Sequence, residues 1–481
     1  MASLFGRRCQ LGALSVSALI FGGCVVGPNY KRPTTEVPPD YKETGEFKQA
    51  HPSDAIAKGK WWEIYDDPQL NALEEQISVS NQSLKAAQEQ FEQARAELRI
   101  ARAGHSPTLS TQPSIGGDRQ SQNRALFGVG SPVSYADYLL PLDASYELDV
   151  WGRVRRTVEG ARSEVQASAA DLANVDLSLR AELALDYFQL RGLDSQKQLL
   201  DSTVEAYEKA LQLTQSRYGG GVASAVDVAQ AQTQLETTRA QDQDVGVERA
   251  AFEHAVAVLI GKPPAEFSQP LAPLKNPPPA IPPGLPSELL ERRPDIAAAE
   301  RRVQEANAQV GVAKAAYFPR ILLTAGGGFE SATLGTLLQG PSGFWLLAGT
   351  AAQQIIDGGQ RRGVSEQARA AYRQSVDTYR QTTLSAFQDV EDNLAALNIL
   401  EVEAKTQDGA VAAAEHSLEL SNNRYKGGVA NYLEVTTAQS AALGDERTAV
   451  DILTRRVVAS VLLIKALGGG WNASQILSAS R

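Results

Sequence analysis

Proline sets the first limit on how this chain can fold. Its 23 prolines fall in clusters: six up to Pro68, four from Pro107 to Pro141, eleven from Pro263 to Pro294, and then Pro319 and Pro341. Residues 142–262 and 342–481, stretches of 121 and 140 residues, contain none. Proline in a helix interior costs about 3 kcal/mol. The clustering therefore predicts very long helices separated by proline-punctuated extended segments.

The chain also repeats itself. Arg217-Tyr-Gly-Gly-Gly-Val-Ala-Ser-Ala-Val-Asp-Val-Ala-Gln-Ala-Gln232 aligns without gaps to Arg424-Tyr-Lys-Gly-Gly-Val-Ala-Asn-Tyr-Leu-Glu-Val-Thr-Thr-Ala-Gln439 at an offset of 207 residues. The same offset pairs Ile260-Gly261 with Leu467-Gly468, and Ala101 to Pro107 matches Ala313 to Pro319 at an offset of 212. Two copies of one unit, joined by the proline-rich segment 263–294, argue for pseudo-symmetry and against a single asymmetric catalytic pocket. The copies occupy 68–262 and 295–468, and each reads as helix, strand pair, very long helix, turn, helix.

The first helix begins after Asp66-Asp67-Pro68 and is expected to run to about Ala103; its counterpart begins at Pro294-Asp295. Proline suits the first helical turn. The long helix of copy one is expected from about Arg153 to Arg217, with Leu172, Val175, Leu179, Leu183, Tyr187 and Leu190 on one face. About 65 residues at 1.5 Å each give about 97 Å, far more than a compact domain needs. Copy two repeats it from about Arg361 to Arg424, with Ala386, Val390, Leu394 and Leu397 in the equivalent places. A soluble coiled coil would share this pattern, so the segments between helices decide.

Those segments alternate. From Tyr138 to Val150, Tyr138, Leu140, Leu142, Ala144, Tyr146, Leu148 and Val150 point one way and Asp143, Ser145, Glu147 and Asp149 the other. This period of two describes a strand with one apolar and one polar face, long enough to cross an outer membrane. Its expected partner is 108–119, closing a strand pair over about 108–150. Copy two offers Ile321, Leu323, Ala325 and Gly327, a glycine-rich loop, and then Phe344 to Ile356, a pair over about 320–357. Four strands cannot close a barrel, and an open edge in lipid leaves backbone groups unpaired. A membrane-spanning sheet of this kind requires several copies of the chain around one axis.

The first 23 residues carry Arg7 and Arg8, an apolar stretch from about Leu11 to Phe21, and small residues before Cys24. This is the pattern of a bacterial secretory signal. Phe21-Gly22-Gly23-Cys24 resembles the lipobox of lipoprotein signal peptidase, with Phe21 in place of the usual Leu, and predicts diacylglycerol and an N-acyl chain on Cys24. An ordinary export signal with an incidental Cys24 is the plainer alternative. Val25 follows the cysteine, and the absence of Asp there fits outer-membrane sorting. With Cys9 in the leader and Cys24 acylated, the mature chain has no thiol for a disulfide. Residues 24–67 then form an acylated extended segment, and 469–481 a carboxyl-terminal tail.

Taken in order, the leader with Cys24-Val-Val-Gly-Pro-Asn-Tyr-Lys-Arg-Pro33, Trp61-Trp62, Asp149-Val-Trp-Gly-Arg153 and the doubled Arg-Tyr-x-x-Gly turns resemble the outer-membrane efflux proteins related to TolC, in the lipoprotein branch that OprM and NodT exemplify. The resemblance covers nearly all of the mature chain. It implies a mainly α fold with membrane β: a homotrimer in which each chain gives four strands to a twelve-stranded outer-membrane barrel continued by a long helical periplasmic tunnel. It further implies docking by a periplasmic adaptor (membrane fusion) protein and an inner-membrane transporter, commonly of the resistance-nodulation-division type, to expel drugs, toxic organics or metals. The Trp61-Trp62 region, the linker and the carboxyl terminus would lie near an equatorial belt.

By the same resemblance the two turns, about 217–224 and 424–431, sit at the periplasmic tip. Arg217, Tyr218, Gly221, Arg424, Tyr425 and Gly428 would shape them, as pure turns or as turns that also dock the adaptor. Asp227 and Glu434 follow as the paired acids of the two copies, and with Tyr425 they are carried over as a periplasmic gate. Related channels can hold a second acid where this chain has Thr437 and an arginine where it has Ala430. A three-fold ring of Glu434 is then the expected constriction, attracting cations and repelling anions. A solvated helix face is the bland alternative.

Other classes find little support. Lys and Arg total 46 against 56 Asp and Glu, a net charge of −10, and no basic stripe marks a nucleic-acid partner. His51, His105, His254 and His416 lack metal-ligand spacing, and no Gly-x-Ser-x-Gly is present. Gly326-Gly-Gly328 has no phosphate-loop setting. No enzyme activity and no cofactor is expected. Two rivals share the pattern: a lipid-anchored periplasmic coiled-coil adaptor, and the outer-membrane duct of type I protein secretion.

Overall fold

A computed structural model describes residues 25–43, 59–119, 121, 123, 134–281 and 288–471. The leader, Cys24 and the tail beyond Trp471 lie outside the described residues. In copy one the elements are α1 (Pro68–Ser80), α2 (Gln82–Ala103), β1 (Thr108–Ser110), β2 (Ser114–Arg119), β3 (Ser134–Leu148), α3 (Arg153–Gly219) and α4 (Ala225–Leu259). Copy two follows with α5 (Pro294–Ala315), β4 (Arg320–Ser331), β5 (Gly343–Ala352), α6 (Gln360–Lys426) and α7 (Tyr432–Ala466). The repeat is metrically close. Both long helices have 67 residues, both return helices 35, and α2 and α5 both have 22. At 1.5 Å per residue, α3 and α6 each extend about 100 Å.

The first helix departs from its expected unbroken run. It stops at Ser80, and Asn81 turns extended to cap a second helix, its Oδ1 accepting from Leu84 N at 2.8 Å. The break receives the end of α4: Asn81 Nδ2 donates to Leu259 O at 2.7 Å and Ser80 Oγ to Ile260 O at 2.7 Å. Gly261 closes the joint at φ +70°, where a Cβ would fall 2.4 Å from Ser80 O.

The main core lies part-way along the long helices. Trp61, Trp62, Leu70 and Ile77 pack there with Leu183, Tyr187, Val390, Leu394, Val461 and Ile281 of the linker. Of the apolar faces read from the sequence, Leu183, Tyr187, Leu190, Ala386, Val390 and Leu394 are each no more than 1% exposed, while Leu172, Val175, Leu179 and Leu397 are half-buried. Among these groups Glu74 is fully buried, its two oxygens without hydrogen-bond partners, with Arg180 Nη1 at 3.6 Å. Burial outweighs the arginine and raises its carboxyl to about 9.

The linker is pinned by one buried carboxylate. Asp194 accepts from Arg191 Nη1 at 2.9 Å, from Arg249 Nε at 2.7 Å and from the linker's Ala272 N at 2.9 Å. Both arginines reach linker carbonyls as well, Arg191 to Pro270 O at 2.8 Å and Arg249 to Gln269 O at 2.6 Å. The amino-terminal segment runs the other way, outside the helices. It starts with Val25 against Gly152, continues with Pro28 O accepting from Asn307 Nδ2 at 3.0 Å, and reaches Lys42 N and Glu43 N, which donate to Glu391 at 2.7 and 3.0 Å.

Candidate functional site

Two regions hold the residues that the sequence singles out: the sheet at one end of the long helices and the paired turns at the other. In the sheet β1 and β2 lie along β3 in one continuous register, β3 pairs with β4 and β4 with β5, all antiparallel. Among the described residues that makes four staves with both outer edges open. Register assigns the faces. Leu109, Ile115, Leu140, Leu142, Ala144 and Tyr146 of the first hairpin share a face with Phe329, Gly327, Ala325 and Leu323 of β4 and with Trp345 and Leu347 of β5. Asp143, Ser145 and Glu147 lie opposite, beside Gly326, Thr324, Ala348 and Thr350. One face is a continuous apolar surface, with Trp345 78% exposed in the single chain; the other is mostly small and polar.

The glycine run differs from its expected place in a loop. Gly326, Gly327 and Gly328 lie inside β4, and the connection to β5 comes later, with 3-10 turns at Leu334–Thr336 and Gly340–Ser342. At Gly328 the facing strand comes too close for a side chain: a Cβ there would fall 2.1 Å from Leu140 O and 2.9 Å from Pro141 Cα. The strands also end earlier than expected, at Leu148 and Ala352. Asp149 then caps α3, accepting from Val154 N at 3.0 Å and Arg155 N at 2.9 Å.

At the opposite end the two turns share one geometry. Val222 N donates to Arg217 O at 2.8 Å and Val429 N to Arg424 O at 3.0 Å, while Gly221 and Gly428 take φ +75° and +74°. This is the glycine-closed helix C-terminus, satisfying carbonyls the helix leaves free. No atom lies within 4 Å of a Cβ built on either glycine, so backbone conformation alone selects them.

The side chains differ between the copies. Asp227 closes a capping box, its Oδ2 accepting from Ser224 N at 2.8 Å while Ser224 Oγ accepts from Asp227 N at 3.1 Å. In copy two Asn431 caps the helix, accepting from Glu434 N at 3.2 Å. The Glu434 carboxylate instead faces Arg424, Oε2 to Nη2 3.5 Å, with both side chains about half exposed. Tyr425 is buried, packed edge-on to Tyr432 at 5.2 Å, its hydroxyl donating to Thr214 Oγ1 at 3.5 Å. Arg217 lies over the Tyr425 ring at 4.7 Å and donates to Lys426 O at 3.2 Å, tying one turn to the other. Tyr218 is 52% exposed, and Val222, Val226, Val429 and Leu433 make the tip surface apolar as well. The structure thus joins Arg217 with Tyr425 and Arg424 with Glu434, and engages Asp227 on its own helix. The sequence reading missed Thr214 and Tyr432, partners separated from Tyr425 in different ways; the aromatic at 432, where copy one has Ala225, was the available signal.

Among the described residues no helix is long and apolar enough to cross a membrane, and no group of three metal-ligating side chains converges.

The sequence profile described as "Outer membrane efflux protein" matches residues 73–262 and 285–469, one span for each repeat. The chain is 33% identical to the outer membrane protein OprJ of Pseudomonas aeruginosa over 477 residues, 98% of each chain. It is 32% identical to the toluene efflux pump outer membrane protein TtgC of Pseudomonas putida over 464 residues, 96% of each. Among solved structures, the outer-membrane channel OprN superposes with a TM-score of 0.85 at 29% identity, covering 93% of this chain and all of that one. These matches carry no catalytic role. The apolar-faced sheet, the long helices and the family match agree, and the chain is a member of the outer membrane efflux protein family, the outer-membrane channel of a tripartite efflux pump.

Proposed function

We propose that the protein acts as a homotrimeric exit duct, held in the outer membrane by its sheet and by an acylated Cys24, and opened at its periplasmic tip when an adaptor docks. The observation that carries this is the sheet: four staves, one apolar face and two open edges. Backbone groups on an open edge cannot stay unpaired in lipid, so β5 of one chain pairs with β1 and β2 of the next until twelve staves close. The acyl anchor suits the same geometry, because Val25, the next residue, packs against Gly152 at the base of the sheet.

The tip supplies the gate and the dock. The Arg424–Glu434 pair is solvent-exposed, a class worth about 0–1 kcal/mol, and can be exchanged for adaptor contacts at small cost. Asp227 adds charge while keeping its capping role. Tyr425, clamped under Arg217, transmits movement of one turn to the other. The turn residues Arg217, Tyr218, Gly221, Arg424 and Gly428, with the exposed valines beside them, form the adaptor surface. An inner-membrane transporter of the resistance-nodulation-division type then delivers cargo, and the relatives' names point to drugs and small toxic organics such as toluene.

The experiment is conductance of the purified protein in planar bilayers. Glu434→Ala should raise single-channel conductance or remove block by divalent cations, and cross-linking should report three chains per particle. Unchanged conductance and unchanged block would remove Glu434 from the gate.

A further inference from the structure

At the end of the sheet where α3 begins, two aromatic rings adjoin the strands. Trp151 and Phe318 stack at 4.6 Å, and Trp151 Nε1 donates to Pro319 O at 2.9 Å. Rings of this kind settle at the headgroup level of a bilayer. Next to these rings is a groove lined by His105, Arg155, Glu159, Arg162, Gln166 and Gln304. It adjoins the amino-terminal segment. Glu159 accepts from Arg156 Nη1 at 2.7 Å, and Arg156 donates in turn to Asn29 Oδ1 at 3.1 Å and Val26 O at 3.4 Å. The groove therefore lies on the side of the helices along which residues 25–30 run.

Its charges do not cancel. Arg155 is matched by Asp149 at 3.3 Å, and Glu159 by Arg156. Arg162 is exposed and makes no ion pair or hydrogen bond among the described residues. His105, at the end of α2, adds a ring nitrogen donor. Height fits too. Arg155 is the third residue of α3, and Arg162 lies about 10 Å further along. Helical side chains lean toward the helix N-terminus, which here is the membrane side, so the long Arg162 arm reaches back toward a headgroup layer about 5–7 Å thick.

We propose that this groove binds the phosphate of an anionic phospholipid of the periplasmic leaflet, with the planar Arg162 guanidinium as the two-pronged donor and His105 as a second. This would fix the rotation and depth of the barrel by a lipid contact separate from the covalent anchor. It rests on the membrane placement of the sheet and not on acylation of Cys24.

The test uses the full-length protein, incubated with vesicles of phosphatidylglycerol or of phosphatidylcholine and then examined by native mass spectrometry for retained lipid. The wild type should retain phosphatidylglycerol preferentially. Arg162→Gln should lower that retention about fivefold, the effect of about 1 kcal/mol for one basic residue near a bilayer, and Arg162→Lys should restore most of it. Cys24→Ala should leave it unchanged, which separates this site from the anchor. Equal retention of the two lipids by the wild type, or equal retention by wild type and Arg162→Gln, would overturn the proposal. So would displacement of the lipid by millimolar inorganic phosphate, which would assign the groove to the free ion.

Discussion

Asp194 is where a single substitution should be felt across the linker. Its carboxylate is buried and accepts from two guanidinium groups and one backbone N–H. Replacing it with alanine leaves Arg191, itself 3% exposed, holding a charge with no carboxylate partner, only Pro270 O at 2.8 Å, Gln69 Oε1 at 2.5 Å and the Tyr187 ring at 4.7 Å. Removing one partner of a buried pair costs about 3–5 kcal/mol. Because the contact ties the linker to α3 and α4, that cost falls on local opening of residues 263–281, not on the whole fold. It corresponds to a rise of about a hundredfold to a few thousandfold in the opened population. Limited proteolysis reads this directly when closing is fast relative to cleavage. Asp194→Ala should be cut in the linker far faster than wild type, with far-ultraviolet circular dichroism of the folded protein unchanged, and Asp194→Asn should fall between. Cleavage of Asp194→Ala at the wild-type rate would refute the argument, since it would mean that the two arginines need no counter-charge.

Other consequences concern single residues. Glu74 is protonated in the fold up to about pH 9 because of burial, whereas an unfolded glutamate ionises near its ordinary value. Between these limits the native state binds the extra proton, so stability falls as pH rises from about 5 to 9. Glu74→Gln should remove that slope in melting temperature, and an unchanged slope would locate its cause elsewhere. Gly328→Val would push a side chain into Leu140 O, and heat-resistant oligomers on gels should be lost. A Cβ at Gly428 meets no neighbouring atom, so the cost of Gly428→Ala is the left-handed backbone alone, about 1–2 kcal/mol. Gly428→Asn should recover most of it in thermal unfolding.

Much of the architecture was legible in the sequence because it rests on local rules. A proline-free run with apolar steps of three and four has few folds open to it, and α3 and α6 follow. Alternation from Tyr138 onward gave β3 and its faces. What escaped depends on partners far along the chain. The break at Asn81 is stabilised by Leu259 and Ile260, about 180 residues away, and Gly328 of β4 answers to Leu140 and Pro141 across the sheet. The region of the paired turns was half legible. Alignment paired Asp227 with Glu434, but Ser224 closes a reciprocal box that occupies Asp227, whereas Asn431 leaves Glu434 free for Arg424. Aligned acids therefore have unlike chemistry because their caps differ by one residue type. The clamp at Asp194 has only Arg191, three residues earlier on α3, as a local signature; its other partners come from α4 and the linker.

The open edges of the sheet also have a genetic consequence. A chain that folds its helices but carries a defect along β5 still offers an intact β1 and β2 edge, so it can join a ring and leave it unclosed. If defective and normal chains mix freely in equal amounts in a closed ring of three, only about one assembly in eight is free of the defect. Lesions at these edges should therefore behave as dominant, whereas lesions that stop the chain from folding at all should be recessive.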